Sequence, residues 1–161
     1  MVNAEFTDLL PSLLLGVLAI LLVVAGAVDM RTFTISNRLN LTVALLAPLY
    51  WLAVGLPLWP GAAIQLAIAA GVFVMLAGAF YIGMMGGGDV KLAAALALWF
   101  SPASTVKFLI LMSLAGGALT VGLLVAHRMR GKAGNPKIPY GVAIAFGGLA
   151  ILAHRFLNQF A

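Results

Sequence analysis

Two aspartates, Asp29 and Asp89, are the residues most able to do chemistry, because each ends a long apolar stretch in a chain with only four acidic residues. The other two, Glu5 and Asp8, lie in a polar N-terminal stub, where solvation costs nothing. Asp29 closes the run PSLLLGVLAILLVVAGAVD, and Asp89 follows a glycine triplet in GMMGGGDVK. An ionisable side chain at membrane depth is costly and marks function by default. Two of the same sign suit paired-carboxylate chemistry, in which one acid keeps a proton while the other is ionised. Each also has a plainer reading: Asp89 as an N-cap, and Asp29 as the ion-pair partner of Arg31.

The residues around the two acids have readings of their own. Gly86, Gly87 and Gly88 permit positive φ and close approach of another chain. Irregular backbone at membrane depth is tolerated only against protein or a water-filled cavity. The helix start behind the triplet offers free N–H groups, which favour an ionised carboxylate. Lys91, two residues past Asp89, is either a topology anchor or a group that tunes the acid. In DMRTFTISNRLN, Arg31 and Arg38 read as topology anchors and Asn37 as the cap of the next helix. His127 and His154 sit at helix ends, with no acid or second histidine beside them in the sequence, and read as structural. Met84, Met85 and the three tryptophans read as packing and interface belt. With no cysteine, a disulfide or thiolate zinc site is excluded.

The elements that must position these residues are helices in a membrane. The chain has 161 residues, 64% hydrophobic and 8% charged. A soluble domain of this length cannot bury that much apolar surface, so the expected class is an all-α polytopic membrane protein. Continuous rather than alternating apolar runs disfavour a β-barrel. A helix needs about 20 apolar residues to cross the hydrocarbon core. Six segments emerge: 10–28, 39–55, 62–82, 90–100, 105–126 and 138–156. The fourth is too short to cross alone. No linker is visible, so residues 1–161 read as a single membrane-embedded domain, and the N-terminus lacks the features of a signal peptide.

Lysine and arginine set the orientation. With the N-terminus outside, the inner loops hold Arg31, Arg38, Lys91, Arg128, Arg130, Lys132 and Lys137, and the outer side only Lys107 and Arg155. This positive-inside bias accounts for the net charge of +5 without a nucleic-acid partner. It places Asp29 and Asp89 at the same, cytoplasmic, depth, although they are 60 residues apart in sequence.

In this arrangement the chain resembles the prepilin peptidases, aspartic membrane proteases that process type IV pilins and pseudopilins. The resemblance rests on Asp29 in DMRTFTISN, on Asp89 in GGGDVK with Lys91 two residues later, and on KIPYG at 137–141. Arg31, Ile35 and Asn37 also match, while Ser36 stands where the family often has proline. GxGD alone is a weak motif, but three motifs in order on one side of the membrane are specific. The resemblance implies that Asp29 and Asp89 are catalytic. It further implies that Gly86, Gly87, Gly88, Lys91, Arg31, Asn37, Pro139 and Tyr140 support them. It implies an enzyme of the bacterial inner membrane, with its site facing the cytoplasm and no cofactor or metal. The partners it implies are a prepilin or pseudopilin substrate, the bilayer and the pilus assembly machinery. The larger bifunctional members carry a cysteine-paired insert and also N-methylate the pilin. This chain is therefore similar to the short, peptidase-only branch of the Flp pilus (tight-adherence) type. The alternative is a transporter or channel that relays protons or a cation through Asp29 and Asp89. That reading calls for an internal repeat, which the two halves do not show.

Overall fold

The computed structural model describes residues 2–131, 134 and 136–159, with side chains described for residues 9–157 of that set. Lys132, counted above among the inner cations, lies outside the described residues. Six helices account for the fold: α1 (Val2–Thr32), α2 (Asn37–Ala53), α3 (Ala63–Tyr81), α4 (Gly87–Ala97), α5 (Pro102–Met129) and α6 (Tyr140–Gln159). A kinked turn over Leu58–Ala62 leads into α3. The described residues form no strand.

Local signals set the helix starts. Ser36, not Asn37, caps α2: its Oγ accepts the Leu39 N–H at 3.2 Å, and Asn37 is the first helical residue. A serine hydroxyl reaches the free N–H groups of a first turn as well as an asparagine does, so Ser36 serves where a proline would have been only permissive. Ser101 caps α5 in the same way, followed by Pro102.

Among the described residues four helices are long and apolar enough to cross a membrane: Leu9–Thr32, Leu58–Tyr81, Pro102–Met129 and Tyr140–Leu157. The 17-residue α2 and the 11-residue α4 fall short of that length. At 1.5 Å per residue they are about 26 Å and 17 Å long. The second segment is thus shorter than the expected full span.

What α4 lacks in length it makes up in burial. Val90 and Leu92 through Ala97 are all buried, so lipid reaches little of this helix. A helix stretch enclosed on every side must be apolar on every side, as α4 is from Leu92 to Ala97, past the exposed Lys91 near its start. Its end is tied to α2 by two buried indoles. Trp51 Nε1 donates to Leu98 O at 2.8 Å, and Trp99 Nε1 donates to Val43 O at 3.0 Å. Trp51 and Trp99 are therefore structural donors in the core, and only Trp59, 82% exposed, fits an interface belt. The most extensive packing is of α5 and α1 on α6, and of α3 and α2 on α4. Smaller contacts, α1 with α2 and α4 with α6, join these two groups.

Candidate active site

Asp29 lies in the last turn of α1 and is 2% exposed. The start of α6 brings the backbone amides of Gly141 and Val142 to face the carboxylate. Such N–H groups have no partner within their own helix and suit an anion. The Oδ2 atom has no hydrogen-bond partner among the described residues. Arg31 is exposed while Asp29 is buried, so the ion pair considered above is not what holds the acid. This approach is possible only because residue 141 has no side chain. A Cβ there would stand 2.7 Å from Ile35 Cδ1 and 2.8 Å from Asp29 Cγ and Oδ2.

Asp89 occupies the third position of α4, not its cap. The cap is Gly86, at φ −74° and ψ 145°, and the Asp89 Oδ2 accepts the Gly86 N–H at 3.2 Å. The carboxylate thus turns back to satisfy its own helix start, half of a capping box. None of the three triplet glycines has a positive φ; in this turn that conformation belongs to Gly83, at φ +74°. What the triplet supplies is space. A Cβ on Gly88 would stand 2.7 Å from Ile35 O, so it is the first loop that occupies this bare backbone.

Asp89 lies outside the four long apolar helices, and its carboxyl is pushed up from 3.8 to about 6. Burial is the main cause and the charge of Asp29 the second, with the Gly86 N–H opposing both. The two acids, carried on different helices, are therefore coupled through their charge. The folded state holds this proton more tightly than the unfolded chain, so the contribution to stability is complete below about pH 4. It is lost as pH rises through about 6. The thermal midpoint of the detergent-solubilised protein is expected to fall between pH 4 and 6.5, and Asp89→Asn to flatten that slope. An equally steep slope in the variant contradicts the assignment.

The supporting residues divide. Lys91 Nζ donates to Asn37 Oδ1 at 2.8 Å, which ties α4 to α2 beside the site and directs the ammonium to Asn37 rather than to Asp89. Arg31 is exposed. Pro139 is buried just before α6, and the Tyr140 hydroxyl lies 3.5 Å from Thr120 Oγ1 on α5, which identifies Tyr140 as a brace for α6.

Two participants were missed by the reading of the sequence. Asn40, 4% exposed, donates from Nδ2 to Gly88 O at 2.9 Å and fixes the turn ahead of Asp89. Its signal was a second asparagine one helical turn beyond Asn37, just ahead of the apolar run of α2. Phe33 adopts φ +53°, with its N–H donating to Asp29 O at 2.9 Å. Positive φ is strained for an aromatic residue, and such strain gathers at functional loops. No residue type announces it.

Among the described residues no group of three or more His, Cys, Asp or Glu side chains could hold a metal ion. A model of the type IV leader peptidase family matches residues 16–121, which include both Asp29 and Asp89. The Gly141 contact and the rest of α6 lie beyond that match. No curated protein and no solved structure matches the chain significantly.

Proposed function

Since it is matched over residues 16–121 of 161, the chain belongs to the type IV leader peptidase family, and we propose that it is an aspartic endopeptidase using Asp29 and Asp89 as its catalytic pair. The observation that carries this reading is the burial of both acids against one loop: a Cβ on Gly141 would meet Asp29 and Ile35 Cδ1, and a Cβ on Gly88, next to Asp89, would meet Ile35 O. In the reaction, one carboxylate takes a proton from water as the oxygen attacks the scissile carbonyl. The other, protonated, hydrogen-bonds the carbonyl oxygen and stabilises its developing charge. The proton then passes to the leaving amine as the C–N bond breaks. A pair that shares one proton is in the correct state for both tasks at once.

The substrate is a prepilin or pseudopilin of the Flp type, cut between a short basic leader and its apolar helix. An apolar cavity of about 560 Å³ between α2, α3 and α4 supports lateral recognition. Small residues, Ala44, Ala69 and Ala94 among them, line it, and Asn37, Asn40 and Lys91 place it beside the turn that holds Asp89. The absence of cysteine supports cleavage without N-methylation. The basic loops favour an inner-membrane enzyme with its site on the cytoplasmic side.

Co-expression with an Flp-type pilin precursor tests this reading by mass spectrometry of the pilin. The expected product has lost its leader and has an unmethylated N-terminus. An intact precursor beside well-inserted enzyme overturns the substrate assignment, and a methylated product overturns the peptidase-only reading. A cysteine introduced at Arg130 of the same cysteine-free chain is expected to react only once the membrane is permeabilised.

A further inference from the structure

At the end of the bundle opposite the two acids lies a cavity of about 540 Å³. Arg155 is 14 residues along α6 from Gly141, about 21 Å at the helical rise. The cavity is lined by Tyr50, Gln65, Ser104, Lys107, His154 and Arg155, with Trp51 and Trp99 among the apolar residues completing it. The positive-inside pattern leaves only Lys107 and Arg155 on this side of the chain, and the fold brings both to one cavity from different helices. No acidic residue lines it among the described residues. Topology does not call for cations here, so their convergence needs another cause.

The polar atoms indicate what that cause is. Tyr50 is 4% exposed and stacked on Trp99 with ring centroids 5.2 Å apart; the Arg155 guanidinium lies beside its hydroxyl, but as a donor it leaves the hydroxyl hydrogen without an acceptor. Arg155 stands over the Tyr50 ring, with Cζ 5.3 Å from the centroid. The buried Gln65 Oε1 also has no partner. A buried polar group left unpaired costs about 1–3 kcal/mol, so two in one cavity point to a ligand that satisfies both. The cavity thus presents two cations and a hydroxyl donor, which suit an anion's oxygens, together with one acceptor for a donor group. Trp59 and Leu58, 82% and 79% exposed at the turn before α3, are the side chains expected at a membrane–water boundary.

We propose that this cavity binds a phosphate diester whose headgroup carries a hydrogen-bond donor, the chemistry of an anionic phospholipid such as phosphatidylglycerol. Lys107, Arg155 and the Tyr50 hydroxyl hold the phosphate oxygens, and Gln65 Oε1 accepts from the headgroup hydroxyl. The apolar surface around the cavity mouth takes the start of the acyl chains. This site is separate from the peptide-cutting pair, and its occupancy is read without any cleavage assay.

The test is thermal unfolding of the full chain in an uncharged detergent, titrated separately with dioctanoyl-phosphatidylglycerol, dioctanoylglycerol, glycerol 3-phosphate and inorganic phosphate. The phosphatidylglycerol is expected to raise the midpoint saturably and the uncharged diacylglycerol to have no effect. The Lys107→Gln/Arg155→Gln double variant is expected to weaken the apparent affinity by roughly tenfold or more, the loss of one charged hydrogen bond or two. Tyr50→Phe keeps the stacked ring, removes only the hydroxyl, and is expected to weaken affinity several-fold in a chain that folds normally. Saturable binding of glycerol 3-phosphate or inorganic phosphate, competing with the lipid and lost in the same variants, upholds the phosphate site and assigns its source to the aqueous phase. Equal stabilisation by diacylglycerol, no shift with any phosphate compound, or unaltered affinity in Tyr50→Phe overturns the proposal.

Discussion

Asparagine at position 29 or at position 89 is expected to lower leader cleavage by at least about 10³-fold, the scale of a lost general acid or base. Asparagine is nearly isosteric with aspartate and neither position sits in a tight ion pair, so membrane insertion and helix content should stay native. The proposed mechanism needs two carboxyls that take up and release a proton in turn, and an amide, although it can donate a hydrogen bond, cannot exchange that proton. Because the two act as a unit, the double variant should be no worse than either single one. Cleavage of a purified prepilin, followed alongside circular dichroism of each variant, measures both effects. A folded single variant with near-normal cleavage would sink the aspartic assignment.

The second large effect is expected at Gly141. An alanine Cβ there would lie 2.8 Å from Asp29 Cγ and 2.7 Å from Ile35 Cδ1, far inside van der Waals contact. Either the acid or the first loop must move, and a displacement of about 1 Å at a reacting group costs on the order of 10²-fold in rate. Gly141→Ala should therefore lose about that much, and Gly141→Val more, with an overpacking penalty of roughly 1–3 kcal/mol in stability. Gly117→Ala is the control, because nothing lies within 4 Å of a Cβ at that position. If Gly141→Ala cleaves like the parent chain, the acid tolerates displacement and the seat at α6 is unimportant.

Much of this was legible in the sequence. The composition requires helices, and the runs at 10–28 and 105–126 fall inside α1 and α5 because their few polar residues are too sparse to break a long apolar helix. Asp29 and Asp89 stood out because a lone acid in an apolar run is rare. The surroundings were harder to read. Capping by Ser36 rather than Asn37 turns on which of two adjacent good cap residues leaves helical geometry first, a difference of a single ψ angle. The triplet glycines suggested backbone freedom, whereas Gly88 serves to admit the Ile35 carbonyl. That is a contact between segments more than 50 residues apart, which spacing along the chain does not encode. Asn40 escaped for the same reason, since its partner, Gly88 O, lies 48 residues away. The gathering of Lys107 and Arg155 at one cavity depends on how α5 meets α6, and each alone resembles an ordinary interfacial cation.

The division of the bundle into two packing groups has a consequence for how this protein fails. Asp29 belongs to the group formed by α1, α5 and α6, and Asp89 to the group formed by α2, α3 and α4. The second group is one uninterrupted length of chain, joined to the first covalently through residues 33–36 and 98–101 and otherwise by the smaller α1–α2 and α4–α6 contacts. The proposed catalytic pair is thus assembled across a seam, and each half can keep its own hydrogen bonds while the halves drift apart. A preparation in a poorly chosen detergent could be helical, monodisperse and inert. For this protein, loss of turnover reports on the seam before it reports on folding.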